Sequence, residues 1–223
     1  CSSWQYPGFN QILFITELLR DRKFRLDTRA VPRRSGYPFL RREIMLADLN
    51  QWTIGIVGPH NFGAKWHAGR ARPEEIAYYI AKGRMGRGDG VPKDVVDDIK
   101  SFNIKEAPDF TAYPEGSPAH PSWPAMHAAS SNASFWLSVV LNMNEKQLCH
   151  AKLVDYGVAY ARTVAGVHYP SDNIAGLNMG QEVVARVLAD HLVTKYGSDR
   201  AYVERKIKKM RFDWRDFDPR SCA

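Results

Sequence analysis

The stretch His120-Pro-Ser-Trp-Pro-Ala-Met-His127, followed by AASSNASFWLSVVLNM over residues 128–143, decides how the chain folds. Pro121 and Pro124 bar a helix through its first part, because proline lacks an amide hydrogen and clashes with the turn before it. The second part is small and apolar, which reads as a buried helix over 127–143. His127 then stands in the first helical turn, where free N–H groups and the helix dipole favour an anion. His120 lies in the rigid loop leading in. The stretch reads as half of an anion pocket, with the other half expected elsewhere in the chain.

Outward from it, the apolar spacing predicts further helices. FNQILFITELLR (9–20) gathers Phe9, Ile12, Leu13, Ile15, Leu18 and Leu19 on one face. A basic loop broken by Pro32, Gly36 and Pro38 follows. Residues 40–56 form a helix with Ile44, Met45, Leu49, Trp52 and Ile56 inward, ended by Gly58-Pro59. Residues 60–72 are helix-like, and Pro73 with two acids opens a helix to about residue 82. A short helix spans 91–102, and 103–124 is irregular. Helices over 145–165, 172–196 and 199–210 complete the chain. No stretch alternates as a strand does and no internal repeat occurs. The fold class is all-α, a single helical domain over 1–223.

With 44% apolar and 25% charged residues the composition is that of a soluble globular protein. The longest apolar run, Phe135 to Leu141, is too short for a membrane span. Thirty-one Lys and Arg against 24 Asp and Glu leave a formal +7, which suits an anionic ligand. The basic residues are scattered and form no nucleic-acid arm. Three cysteines, Cys1, Cys149 and Cys222, imply no disulfide framework and no metal spacing, and a Cys1–Cys222 bridge is left open. The chain opens on CSSWQYPG without methionine, so a longer parent chain is expected.

Three groups carry chemistry. Lys65 and Arg72 are seven residues apart, two helical turns, so both can project to one side. Arg162 stands among Val158, Ala161, Val164 and Ala165, where a charge needs a partner, and a guanidinium fork matches an oxyanion. His168 precedes Tyr-Pro, and Asp172 at a helix start can cap that helix and orient the imidazole.

In order, Lys65-x6-Arg72-Pro73, Pro124-x-x-His127 and Arg162-x5-His168-x3-Asp172 resemble the signature of one superfamily. It joins vanadium-dependent haloperoxidases to type 2 phosphatidic acid phosphatases and bacterial nonspecific acid phosphatases. The resemblance covers about residues 60–180 and implies a helical bundle with the oxyanion in its middle. It implies that Lys65, Arg72, Arg162 and the Met126 backbone hold the oxygens of vanadate or phosphate. His168 would be the vanadium ligand or the phosphatase nucleophile, supported by Asp172, and His127 the general acid/base. Lys65 would also polarise bound peroxide. His120, in HPSWPAMHA, is similar to the second histidine of algal bromoperoxidases, and the resemblance implies a halide site there.

The resemblance therefore implies a bromoperoxidase that uses vanadate, hydrogen peroxide and halide, with a small organic acceptor. An acid phosphatase forming a phosphohistidine at His168 is the second reading, and a catalytically impaired oxyanion-binding homologue the third. The third is motivated by Ala125 and Met126, which stand where the family has serine and glycine. The absent hydroxyl removes a bond worth about 1.5–3 kcal/mol to a charged acceptor, which Ser130 or Ser131 is placed to replace. Localisation is not readable, although the resemblance is compatible with a secreted or vesicular protein. A truncated bundle exposes apolar faces and so favours a homo-oligomer.

Overall fold

A computed structural model describes residues 25–34 and 39–222. The helix expected over 9–20 lies outside them. Among the described residues the secondary structure is helical, with one isolated bridge between Leu26 and Leu141 and no strand. The α-helices are α1 (Phe39–Ala68), α2 (Pro73–Ala81), α3 (Lys93–Ser101), α4 (Met126–Ser130), α5 (Ala133–Val140), α6 (Glu145–Val164), α7 (Pro170–Tyr196) and α8 (Arg200–Met210).

The first correction concerns α1, which runs unbroken through Pro59. A helical proline cannot donate to the carbonyl four residues back, here that of Gly55. Gly55 and Pro59 both face solvent, so water can take up the freed carbonyl. The opposite face buries Leu49, Thr53, Val57, Asn61 and Lys65 at intervals of four. That stripe turns from apolar to polar along its length and carries the helix from the core into the site. Ile44, expected inward, is 53% exposed.

The second correction is a break in the helix expected over 127–143, at Ser131–Asn132. α4 ends where Ser131 N–H donates to the His127 and Ala128 carbonyls. α5 starts afresh because the buried Asp155 carboxylate of α6 accepts from Ala133 N–H at 3.2 Å and Ser134 N–H at 2.9 Å. Burial pushes that carboxyl up to about 7. Every residue of α5 is buried, and its Phe135, Trp136 and Leu137 pack with Leu46, Leu49 and Val57 of α1 and Val184, Leu188 and Leu192 of α7.

Glycines set the tightest crossing, between α4 and α7. A Cβ at Gly176 would overlap the Ala125 carbonyl oxygen, and one at Gly180 the Ala129 carbonyl oxygen. Side-chain caps fix the helix starts. Asn144 and Gln147 bond each other's backbone N–H groups at α6, and Asp199 accepts from Tyr202 N–H at α8. Cys149 and Cys222 form a disulfide that ties the end of the described chain to α6. Cys222 therefore pairs with Cys149, and the expectation of no disulfide framework is corrected. No helix among the described residues is long and apolar enough to cross a membrane.

Candidate active site

Lys65 and Arg72 do not share a helix. α1 turns off at Gly69, whose φ of 60° an L side chain rarely adopts, and Arg72 caps α2 from the following turn. Both side chains are nonetheless brought inward, Lys65 fully buried and Arg72 only 3% exposed. Lys65 Nζ donates to the carbonyls of Pro121 at 2.8 Å and Ser122 at 3.0 Å. Burial, with Arg72 nearby, pulls the Lys65 ammonium down to about 7.

Arg72 links three segments. Its Nε donates to the His120 carbonyl at 3.0 Å and one terminal nitrogen to the Val167 carbonyl at 2.8 Å. That same nitrogen lies 3.3 Å from His168 Nε2, while the other lies 3.0 Å from His120 Nδ1. Desolvation first, then Arg162, draws the guanidinium down to about 10. Arg162 enters from α6, buried, and donates to the Tyr113 hydroxyl, with the Tyr113 ring centroid 5.2 Å away. Its Nε is buried and has no hydrogen-bond partner.

His168 sits before α7 and is 3% exposed. Its Nδ1 lies 3.3 Å from Asp172 Oδ2, which also accepts from Tyr169 N–H at 3.0 Å. Asp172 therefore caps α7 and orients the imidazole, as expected. A proton on Nδ1 leaves the Nε2 lone pair facing Arg72. Burial, together with Arg72 and Lys65, brings His168 down to about 4, so the ring is neutral at physiological pH.

His120 is half-buried on the far side of Arg72, with Phe62 edge-on at 5.2 Å between centroids. Burial, then Lys65 and Arg72, lowers its pKa. His127 is the second residue of α4 and half-buried. The α4 approach is anchored to the cluster by Ala125 N–H, which donates to the Asp172 carbonyl at 2.9 Å. The Met126 side chain turns toward Gly58 of α1, its methyl 3.7 Å from where a Cβ there would stand. Ser131, one candidate for the missing hydroxyl, is committed to Asp155, and Ser122 donates to the Ala71 carbonyl.

The hydrogen bonds above send all three cations to neutral groups. Buried charge without an ion partner is costly, and a bound anion removes that cost. No cluster of three or more His, Cys, Asp or Glu able to hold a metal cation occurs among the described residues. The donor set suits an oxyanion: three cations, and one neutral imidazole nitrogen for its central atom.

Sequence reasoning missed Arg70, Asn61 and Tyr113. Asn61 lies one turn before Lys65, and its amide donates to the Pro124 carbonyl at 3.3 Å. Tyr113 lies in an irregular segment with no periodic signal. Arg70, in the turn before Arg72, bonds Asp172 at 2.6 Å.

The family described as the PAP2 superfamily matches residues 51–192, well over half of the chain. A vanadium-dependent bromoperoxidase from Ascophyllum nodosum is 29% identical over 37% of this chain and 20% of its own length. The matched part is thus about a fifth of that relative. No solved structure matches the chain.

Proposed function

From the premise that the chain belongs to the PAP2 superfamily, we propose that it is a vanadium-dependent haloperoxidase acting on bromide. The observation that carries the reading is the burial of Lys65, Arg72 and Arg162, with an Arg72 nitrogen 3.3 Å from Nε2 of the neutral His168. The orphaned Nε of Arg162 and the lowered pKa values of Lys65 and Arg72 fit vanadate, whose oxygens would give that Nε a partner and whose negative charge would raise both pKa values. The similarity to a bromoperoxidase and the ring of His120 against Arg72 favour the halide branch.

Lys65, Arg72 and Arg162 would hold the oxygens of vanadate and His168 Nε2 its metal atom. Bound there, vanadate would supply a pentavalent Lewis acid that activates hydrogen peroxide toward halide. The chain does the rest. Asp172 keeps the His168 proton on Nδ1, so Nε2 stays a donor of electrons. His127 would exchange protons with peroxide, and the Met126 N–H would contact an oxygen of the anion. Lys65, drawn down to about 7 when no anion is present, would regain its proton beside vanadate and could then lend positive charge to peroxide. His120 and Phe62 form the wall that halide would meet.

The His168–Asp172 pair equally suits a second reading, an acid phosphatase in which Nε2 attacks phosphorus and an alcohol leaves with a proton from His127. One assay series separates the readings. The protein is incubated with orthovanadate and assayed for bromination of an activated diketone with peroxide and bromide. A phosphate ester is assayed without vanadate. Bromination that requires vanadate and disappears in His168→Ala supports the proposal. Phosphate release inhibited by vanadate supports the phosphatase instead. Binding without turnover of either points to an impaired homologue, in keeping with Ala125 and Met126.

A further inference from the structure

Resting on the oxyanion-site reading, we propose that Arg70 is a positioning residue, acting through Asp172 to hold His168 in the tautomer that leaves Nε2 free. Arg70 lies in the turn between α1 and α2 and reaches the start of α7. One terminal nitrogen donates to Asp172 Oδ1 at 2.6 Å and to Ser171 Oγ at 2.8 Å. The guanidinium carbon stands 4.1 Å from the Tyr169 ring centroid.

The two oxygens of Asp172 thereby divide their work. Oδ2 takes the Tyr169 N–H and faces His168 Nδ1, while Oδ1 takes Arg70. The carboxylate is fully buried and the Arg70 side chain 39% exposed, so this is a half-sheltered charge-assisted bond rather than a surface pair. Without Arg70, a buried carboxylate oxygen loses its cation, and rotation of Asp172 to recover a partner takes Oδ2 away from Nδ1.

The main chain of Arg70 serves the opposite wall. Its carbonyl accepts from Ser122 N–H at 2.9 Å, and the Ser122 carbonyl accepts from Lys65. One residue therefore ties the His168 side of the site, by its side chain, to the Lys65 side, by its backbone. A side-chain substitution separates these roles, because it leaves the backbone bond in place.

The test reads the imidazole directly. In protein labelled with nitrogen-15 at histidine, without oxyanion and at fixed neutral pH, His168 of the wild type is expected mainly as the Nδ1–H tautomer. Arg70→Gln is expected to raise the Nε2–H fraction and weaken orthovanadate binding about tenfold, the scale on which such supporting bonds act. In an Asp172→Asn background, Arg70→Gln is expected to change neither quantity further. An unaltered tautomer ratio in folded Arg70→Gln, or effects that add to those of Asp172→Asn, overturns the proposal. If Arg70→Gln does not fold, Arg70→Lys carries the test. A ratio between wild type and Asp172→Asn supports the proposal, and the wild-type ratio overturns it. The tautomer is read without ligand or turnover, so failure of the haloperoxidase reading shows separately as absent vanadate binding or bromination.

Discussion

Lys65 offers the sharpest test of the site's electrostatics. Its ammonium is drawn from 10.5 to about 7, chiefly by burial and then by Arg72. A base with a lowered folded pKa binds fewer protons in the fold than in the unfolded chain between those two values. Folding stability therefore rises with pH from about 7 toward 10.5, by up to about 1.4 kcal/mol per pH unit. Below pH 7 both states carry the charge and the burial cost is fully present. Between pH 7.5 and 9.5, wild type is expected to gain about 2.5 kcal/mol relative to Lys65→Met. The comparison cancels the other titrating groups. Urea unfolding at several pH values measures it. With saturating phosphate, Lys65 recovers its proton and the difference in slope should vanish. Parallel pH profiles would refute the burial argument. A slope that phosphate does not alter would show that Lys65 does not face the anion.

Three further outcomes follow from other parts of the molecule. His168, lowered to about 4 mainly by burial, is neutral in the fold and protonated in the unfolded chain between about 4 and 6.5. Wild type should lose roughly 3 kcal/mol more than His168→Gln as pH falls through that window, measured by denaturant midpoints. Gly180→Ala drives a Cβ into the Ala129 carbonyl and should cost about 1–3 kcal/mol or more, a change in midpoint that Gly63→Ala, with open space at its Cβ, should not reproduce. Cys149→Ser opens a disulfide between residues 73 apart and should cost about 2–4 kcal/mol, while oxyanion affinity, measured by calorimetry, stays within twofold.

Most of the fold was legible because the helices after residue 140 carry ordinary caps and periodic burial. The sequence placed α6 and α8 to within a residue or two and the end of α7 at Tyr196. Two errors share a cause, which is tertiary context overriding a local rule. Pro59 reads as a helix end, yet its lost bond falls on the solvent face of a helix whose other side is buried. Ser131–Asn132 reads as helix interior, yet Asp155, more than twenty residues on, caps a new helix there. Such a partner is invisible to a local pattern.

The site was legible as residues and not as geometry. Lys65, Arg72, Arg162, His168 and Asp172 are all buried, and hydrogen bonds or mutual electrostatic effects connect them. Their arrangement was misjudged in one respect, since two helical turns do not separate Lys65 from Arg72 once Gly69 ends α1. Arg70 escaped notice because one more arginine in a basic chain carries no pattern of its own. The acidic partner that gives it meaning lies 102 residues away.

The central claim is that three buried cations and the Nε2 of His168 form one oxyanion site. Calorimetric titration of orthovanadate into wild type, Arg162→Ala and His168→Ala tests it most directly. The account predicts one site per chain in the wild type, displaced by phosphate, and an affinity at least about tenfold weaker in each variant. Wild-type protein that binds no vanadate, or folded variants that bind it as tightly as wild type, would contradict the claim.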